Sequence, residues 1–157
     1  GPKNNFNFVC KEVENDDLVV IDVLNISFRV IATPGHTLDH IVFADENHLF
    51  CGDTIFGCGC GRLFEGTFSQ MHTSLNILSK LPRSIKIFCA HEYTKKNIEF
   101  ALMIEKNNEA LIARKKSLIG VDITLPSTLS EELKTNPFLR SKNLAQFKER
   151  RIRKDNF

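Results

Sequence analysis

No apolar run in this chain approaches the roughly 18 residues that a membrane-spanning helix requires, and no charged-then-apolar stretch opens it. A membrane-embedded or exported protein is not expected, and the composition reads as soluble and cytoplasmic. A strong charge of one sign is missing too. The 21 Lys and Arg against 19 Asp and Glu leave a formal net charge of +2, too little to imply nucleic acid or a membrane surface. Paired cysteines are also lacking: Cys10, Cys51, Cys58, Cys60 and Cys89 are odd in number and show neither disulfide-framework nor zinc-finger spacing, which fits a reducing compartment. There is no internal repeat and no low-complexity segment. What remains is a 157-residue chain, 42% hydrophobic and 25% charged, large enough for one or two compact units.

Short β-branched and aromatic runs, separated by turn residues, cover Leu18 to Val23, Ile26 to Ala32, His40 to Ala44 and His48 to Cys51. Met71, Leu75, Leu78 and Leu81 recur at helical spacing and predict a helix from an N-cap at Ser69 to a stop before Pro82. Ile85 to Ala90 returns to an apolar run of strand length. This alternation argues for an α/β layered fold. After Thr94 the β-branched runs thin out, and Ile98, Leu102 and Glu105, then Leu111 and Leu118, keep helical spacing. Pro126 to Glu132 reads as a turn into a capped short helix, and Asn136-Pro137 as a break. A boundary is placed near residue 93, giving a unit 1–93 and a helical unit 94–157 with Lys148, Arg150, Arg151, Arg153 and Lys154 crowded at its end. That basic run is either a solvated helix face or a site for an anionic ligand.

His36, Asp53 and His91 each stand at the end of a short apolar run, in Thr33-Pro34-Gly35-His36-Thr37, Cys51-Gly52-Asp53-Thr54 and Cys89-Ala90-His91-Glu92-Tyr93-Thr94. Strand ends with tight loops bring imidazoles and carboxylates from distant parts of a chain to one point, so these three are candidate metal ligands. Gly35 and Gly52, directly before two of them, let the backbone turn sharply. Each residue alone reads more readily as a surface or hydrogen-bonded group.

Together these motifs have more weight. T-P-G-H-T, then G-D-T-x-F-x-x-G-C-G-R-x-F-E-G-T, then H-E-Y-T, then Asn136-Pro137-Phe138-Leu139-Arg140 and the R-x-x-K-D-x-F ending at Arg151 to Phe157, resemble glyoxalase II of the metallo-β-lactamase superfamily over nearly the whole chain. The resemblance implies part of an αββα sandwich followed by a small all-helical carboxy-terminal domain. It implies two divalent metal ions, zinc first and iron or manganese as alternatives, with His36 on one, His91 on the other and Asp53 bridging both as the catalytic residue. A metal-bound hydroxide would hydrolyse a glutathione thioester, S-lactoylglutathione in the family's usual case, to a hydroxy acid and glutathione, a step of methylglyoxal detoxification. By the same resemblance Arg62, Tyr93, Arg151 and Lys154 bind the substrate. No cysteine nucleophile is then needed, and Cys58 and Cys60 reflect tight glycine-rich packing.

Some positions depart from the pattern. Arg62 stands where some relatives have lysine, and Phe64 where some have tyrosine. Asp39 stands where glycine is common, with an expected strain of about 1 kcal/mol if that backbone takes a positive φ. The family's H-x-H-x-D-H motif is absent, since the histidines are His36, His40, His48, His72 and His91. The chain is therefore expected to begin partway through the domain, to expose sheet edges or apolar faces, and to have little activity alone. Gly1-Pro2, without an initiator methionine, fits either a protease scar or the interior of a longer protein. His40, His48 and His72 are expected to be structural or surface residues, His40 with a possible place behind the ligands. A persulfide dioxygenase and a non-catalytic glutathione-binding remnant are the competing readings. The partner is a small molecule, with no nucleic acid and no membrane, and the complete protein is expected to be a monomer.

Overall fold

The computed structural model describes Gly1 and residues 11–157; Cys10 and the Pro2-Lys3 segment lie outside the described residues. Four strands, β1 (Leu18–Ile21), β2 (Ile26–Ala32), β3 (Ile41–Ala44) and β4 (His48–Gly52), pair antiparallel in chain order. A two-stranded ribbon follows, β5 (Ile55–Phe56) with β6 (Gly59–Cys60). Helix α1 (Phe68–Leu78) then crosses over to β7 (Lys86–Cys89), which lies parallel to β4. Four helices complete the fold: α2 (Thr94–Ile104), α3 (Glu109–Ser117), α4 (Leu129–Thr135) and α5 (Leu144–Asp155). A short strand β8 (Ser127–Thr128) pairs with β7 and ends the six-stranded sheet, so the mixed α/β class read from the sequence is the class observed.

Local chemistry sets these limits. The strand read over Leu18 to Val23 stops at Ile21, because Asp22–Leu24 form a 3-10 turn closed by Asn25 at φ 51°. Helix α1 starts earlier than the Ser69 cap predicted. The Thr67 hydroxyl accepts from the Gln70 N–H at 3.2 Å and the Gln70 carboxamide accepts from the Thr67 N–H at 2.8 Å, a reciprocal cap that satisfies two end donors at once. The predicted short helix after Pro126 is α4, capped by Thr128. Asp39 is not among the described non-glycine residues with positive φ, which are Asp16, Asn25 and Cys58, so the expected strain there does not arise.

One apolar cluster spans sheet and helices. Val42, Leu49, Ile87, Met71 and Leu75 pack in the same cluster as Phe100, Leu129, Phe138 and Phe147. The opposite face of the sheet is largely open. Val30, Phe43, Phe50 and Phe88 are cross-strand partners in one row; Val30 is buried, whereas Phe50, with Phe28 edge-on to it, is 43% exposed. Among the described residues no helix is long and apolar enough to cross a membrane.

Candidate active site

The strand ends gather the three predicted donors. His36 follows β2, Asp53 follows β4 and His91 follows β7, and β4 and β7 are neighbours, so the loops after them emerge side by side. Gly52 sits at φ 48°, a left-handed conformation that turns the chain just before Asp53. Asp53 directs one carboxylate oxygen to each histidine: Oδ2 lies 3.9 Å from His36 Nε2 and Oδ1 lies 3.3 Å from His91 Nε2.

The backing of these groups fixes how they are turned. The Arg62 carbonyl lies 2.7 Å from His36 Nδ1 and can only accept, so Nδ1 carries a proton and Nε2 is the ring nitrogen turned toward Asp53. His40 stands behind Asp53. Its Nε2 accepts from the Asp53 N–H at 3.3 Å, and its Nδ1 lies 3.1 Å from both Thr33 Oγ1 and Thr54 Oγ1. Burial, with His36 adding to it, holds the His40 pKa below its ordinary value, which keeps that ring neutral. Gly61 completes the close packing, because a Cβ there would overlap the Asp53 carbonyl oxygen.

The donor set suits a divalent metal: two imidazoles and a carboxylate with one oxygen toward each, the first imidazole oriented by a backbone carbonyl. It is not a full coordination shell. Among the described residues no group of three His, Cys, Asp or Glu side chains is gathered closely enough to hold an ion.

Beside these residues opens a cavity of about 550 Å³. It is lined by all the other predicted site residues, Arg62, Tyr93, Arg151 and Lys154, and also by Lys96 and Asp155. Tyr93 stacks on His91 with ring centroids 4.9 Å apart, and Phe64, 69% exposed, stands edge-on to His36. The Arg62 Nε and the Arg151 Nη2 both donate to Asp155 Oδ1, at 3.3 and 3.0 Å. Arg151 is buried; its Nη1 donates to the Cys60 carbonyl at 2.8 Å and its guanidinium lies 5.0 Å from the Phe138 ring centroid. It therefore underlies the cavity, whereas Arg62 and Lys154 reach into it. Lys154 lies over the Phe100 and Phe157 rings; burial first, then Arg151 and Lys96, bring its pKa down to about 8.

The helices grip the ribbon that separates Asp53 from Arg62. Glu132 on α4 accepts from the Cys58 N–H at 2.8 Å, from Arg114 Nη2 at 2.8 Å and from Asn136 Nδ2 at 3.1 Å. Asn136 donates to the Phe56 and Gly59 carbonyls, and Asn97 on α2 to that of Gly57. Sequence reading singled out neither Asn97 nor Glu132 and quoted Asn136 only within the Asn136 to Arg140 motif, with no role assigned. The turn and capped helix read over Pro126 to Glu132 marked α4 without marking what its inner face holds. Cys51, Cys58 and Cys60 are buried free thiols with pKa values raised by burial, Cys58 to about 12, and lie in the packing rather than at a reactive surface.

Residues 92–157 match the hydroxyacylglutathione hydrolase C-terminus. Proteins named hydroxyacylglutathione hydrolase from Pseudoalteromonas translucida and Thiobacillus denitrificans are 47% and 49% identical over 146 and 136 residues. These alignments take in 90% and 84% of this chain but 56% and 53% of the relatives, so the chain spans little more than half their length. Among solved structures, ETHE1 from Myxococcus xanthus superposes with a TM-score of 0.72 at 24% identity, over 97% of this chain and 56% of that one. At that identity the likeness is one of fold. A metallo-beta-lactamase from Staphylococcus aureus gives a TM-score of 0.66 at 27% identity, over 90% of this chain and 38% of that one. Residues 11–91, just over half of the chain, match the metallo-beta-lactamase superfamily, and it is to this superfamily that the chain belongs.

Proposed function

We propose that this chain carries part of the metal site and the glutathione pocket of a hydroxyacylglutathione hydrolase, acting on S-(2-hydroxyacyl)glutathione thioesters such as S-lactoylglutathione. The observation that carries the reading is Asp53, with an oxygen toward each of two histidines at the edge of a cationic cavity. His36, Asp53 and His91 would hold the divalent ions, zinc first; when bound, these supply Lewis-acid stabilisation of the charge that develops on a thioester oxygen. The chain's own residues do the rest. The Arg62 carbonyl keeps the His36 proton on Nδ1, and His40 fixes the backbone that presents the Asp53 carboxylate. Arg62 and Lys154 attract the carboxylates of glutathione, Arg151 adds positive potential from beneath, and Tyr93 offers a hydroxyl beside His91. The division into units 1–93 and 94–157, the role in methylglyoxal detoxification and a cytoplasmic setting belong to the same proposal; the free buried thiols support the last.

The test is S-lactoylglutathione hydrolysis, with metal content measured on the same samples. The 157-residue chain is compared with the same chain joined to the unmatched portion of the Pseudoalteromonas translucida relative. The joined protein should bind about two metal ions and release glutathione, and Asp53→Ala should abolish turnover. Absence of both hydrolysis and metal in the joined protein would refute the reading. Oxygen uptake on a glutathione persulfide in place of hydrolysis would move the site to persulfide oxidation.

A further inference from the structure

The charges around the cavity do not balance. Four cations line it, Arg62, Lys96, Arg151 and Lys154, against the carboxylates of Asp53 and Asp155. Asp53 faces the histidines, and a single oxygen of Asp155 serves both arginines. The two lysines are left over. Neither has a carboxylate within ion-pair distance among the described residues, where every other cation of the cavity does. They come from different elements. Lys96 sits in the first turn of α2 and Lys154 in the last turn of α5, where the Phe100 and Phe157 rings pack against Lys154.

Two ammonium groups facing one cavity repel each other, and partial burial deprives Lys154 of the water that would screen the repulsion. Burial first, then Arg151 and then Lys96, lower the proton affinity of Lys154, with Glu99 of α2 acting against them. An anion placed between the two lysines removes the repulsion. A carboxylate suits, since its two oxygens can each take a donor from a different lysine.

Resting on the glutathione reading above, we infer that Lys96 is a further ligand-binding residue, which with Lys154 takes one of the two carboxylates of the glutathione moiety while Arg62 takes the other. The arginine suits its share, because Asp155 occupies its Nε and fixes the plane of the guanidinium, whose Nη atoms make no hydrogen bond among the described residues. Lys96 would then select for ligands with two separated negative charges.

The experiment is calorimetric titration of the full 157-residue chain with S-methylglutathione, which cannot be hydrolysed. Its glycyl ethyl ester and S-methylcysteinylglycine each lack one carboxylate and serve as controls. Lys96→Gln should weaken S-methylglutathione about 3- to 10-fold, with a smaller salt dependence, and Lys96→Arg should restore most of the affinity. For one of the two control ligands the substitution should have no effect. Lys96 is exposed, so thermal unfolding should be unchanged and a folding defect is not a competing explanation. Wild-type binding that Lys96→Gln leaves within twofold would overturn the assignment of Lys96 alone. Equal weakening of all three ligands would overturn its pairing with one carboxylate. If the wild-type chain binds none of them, the glutathione reading of this cavity fails and the inference with it.

Discussion

Replacing Glu132 with Gln should destabilise the fold by about 3 kcal/mol. Its carboxylate is fully buried and accepts from Arg114, from the Cys58 N–H and from Asn136, while the Arg114 side chain is only 3% exposed. Burial opposes the charge on Arg114; Glu132 overcomes that and holds the guanidinium pKa above its ordinary value. An amide keeps one acceptor but turns two donors toward a guanidinium that has none to accept them. Breaking a buried pair from one side costs roughly 3–5 kcal/mol. The low end applies, because Glu131 stays 3.1 Å from Arg114 Nη2 as a partly exposed substitute. For a chain of this size the loss corresponds to a drop of roughly 6–12 °C in Tm, read by circular dichroism at 222 nm. Arg114→Met with Glu132→Leu should recover at least half of it by removing both charges, the remainder reporting the Cys58 and Asn136 donors left without an acceptor. A loss under about 1 kcal/mol for Glu132→Gln, or a double variant no better than the single one, would refute the reasoning.

Further expectations follow from the same geometry. Gly61→Ala should cost about 1–3 kcal/mol in urea unfolding, because the new methyl must displace the Asp53 carbonyl; an unchanged midpoint would contradict the packing. Lys154 has its folded pKa lowered to about 8, so the unfolded chain binds more protons between there and the ordinary lysine value, and this residue's contribution to stability rises with pH across that window and is lost below it. The stability of wild type relative to Lys154→Met should therefore climb from pH 8 upward, and a flat difference would contradict the shift. Buried thiols work in the opposite sense. With pKa values raised by burial, Cys51, Cys58 and Cys60 stabilise the fold below the ordinary thiol value and lose that contribution as pH rises above it, and they should react with a thiol reagent only on unfolding.

The meeting of His36, Asp53 and His91 was legible in the sequence because each follows an apolar run, and the three runs become strands of one sheet, β2, β4 and β7, whose following loops meet. The phase of α1 was legible from Met71, Leu75 and Leu78, but its start was misplaced by two residues, since the pair Thr67 and Gln70 outcompetes Ser69 by satisfying two donors together. The β5 and β6 ribbon was hidden in a glycine-rich stretch with no alternating pattern. Its geometry depends on Asn97, Glu132 and Asn136, which lie roughly 40 to 80 residues away; Asn97 and Glu132 carry no local signal, and the motif at Asn136 does not tell what its side chain holds. Lys96 was hidden for a different reason: within Lys95-Lys96 on a polar helix start, nothing in the sequence tells which lysine turns to the cavity.

The row of Phe43, Phe50 and Phe88, with Phe28 beside it, gives the molecule an oily flank. Water is expelled from such a flank more readily as ammonium sulfate is added, so the protein should cling to a phenyl resin, brighten anilinonaphthalene sulfonate while fully folded, and salt out early. A purification scheme that relies on the nearly balanced surface charge alone would misjudge how this chain handles in solution.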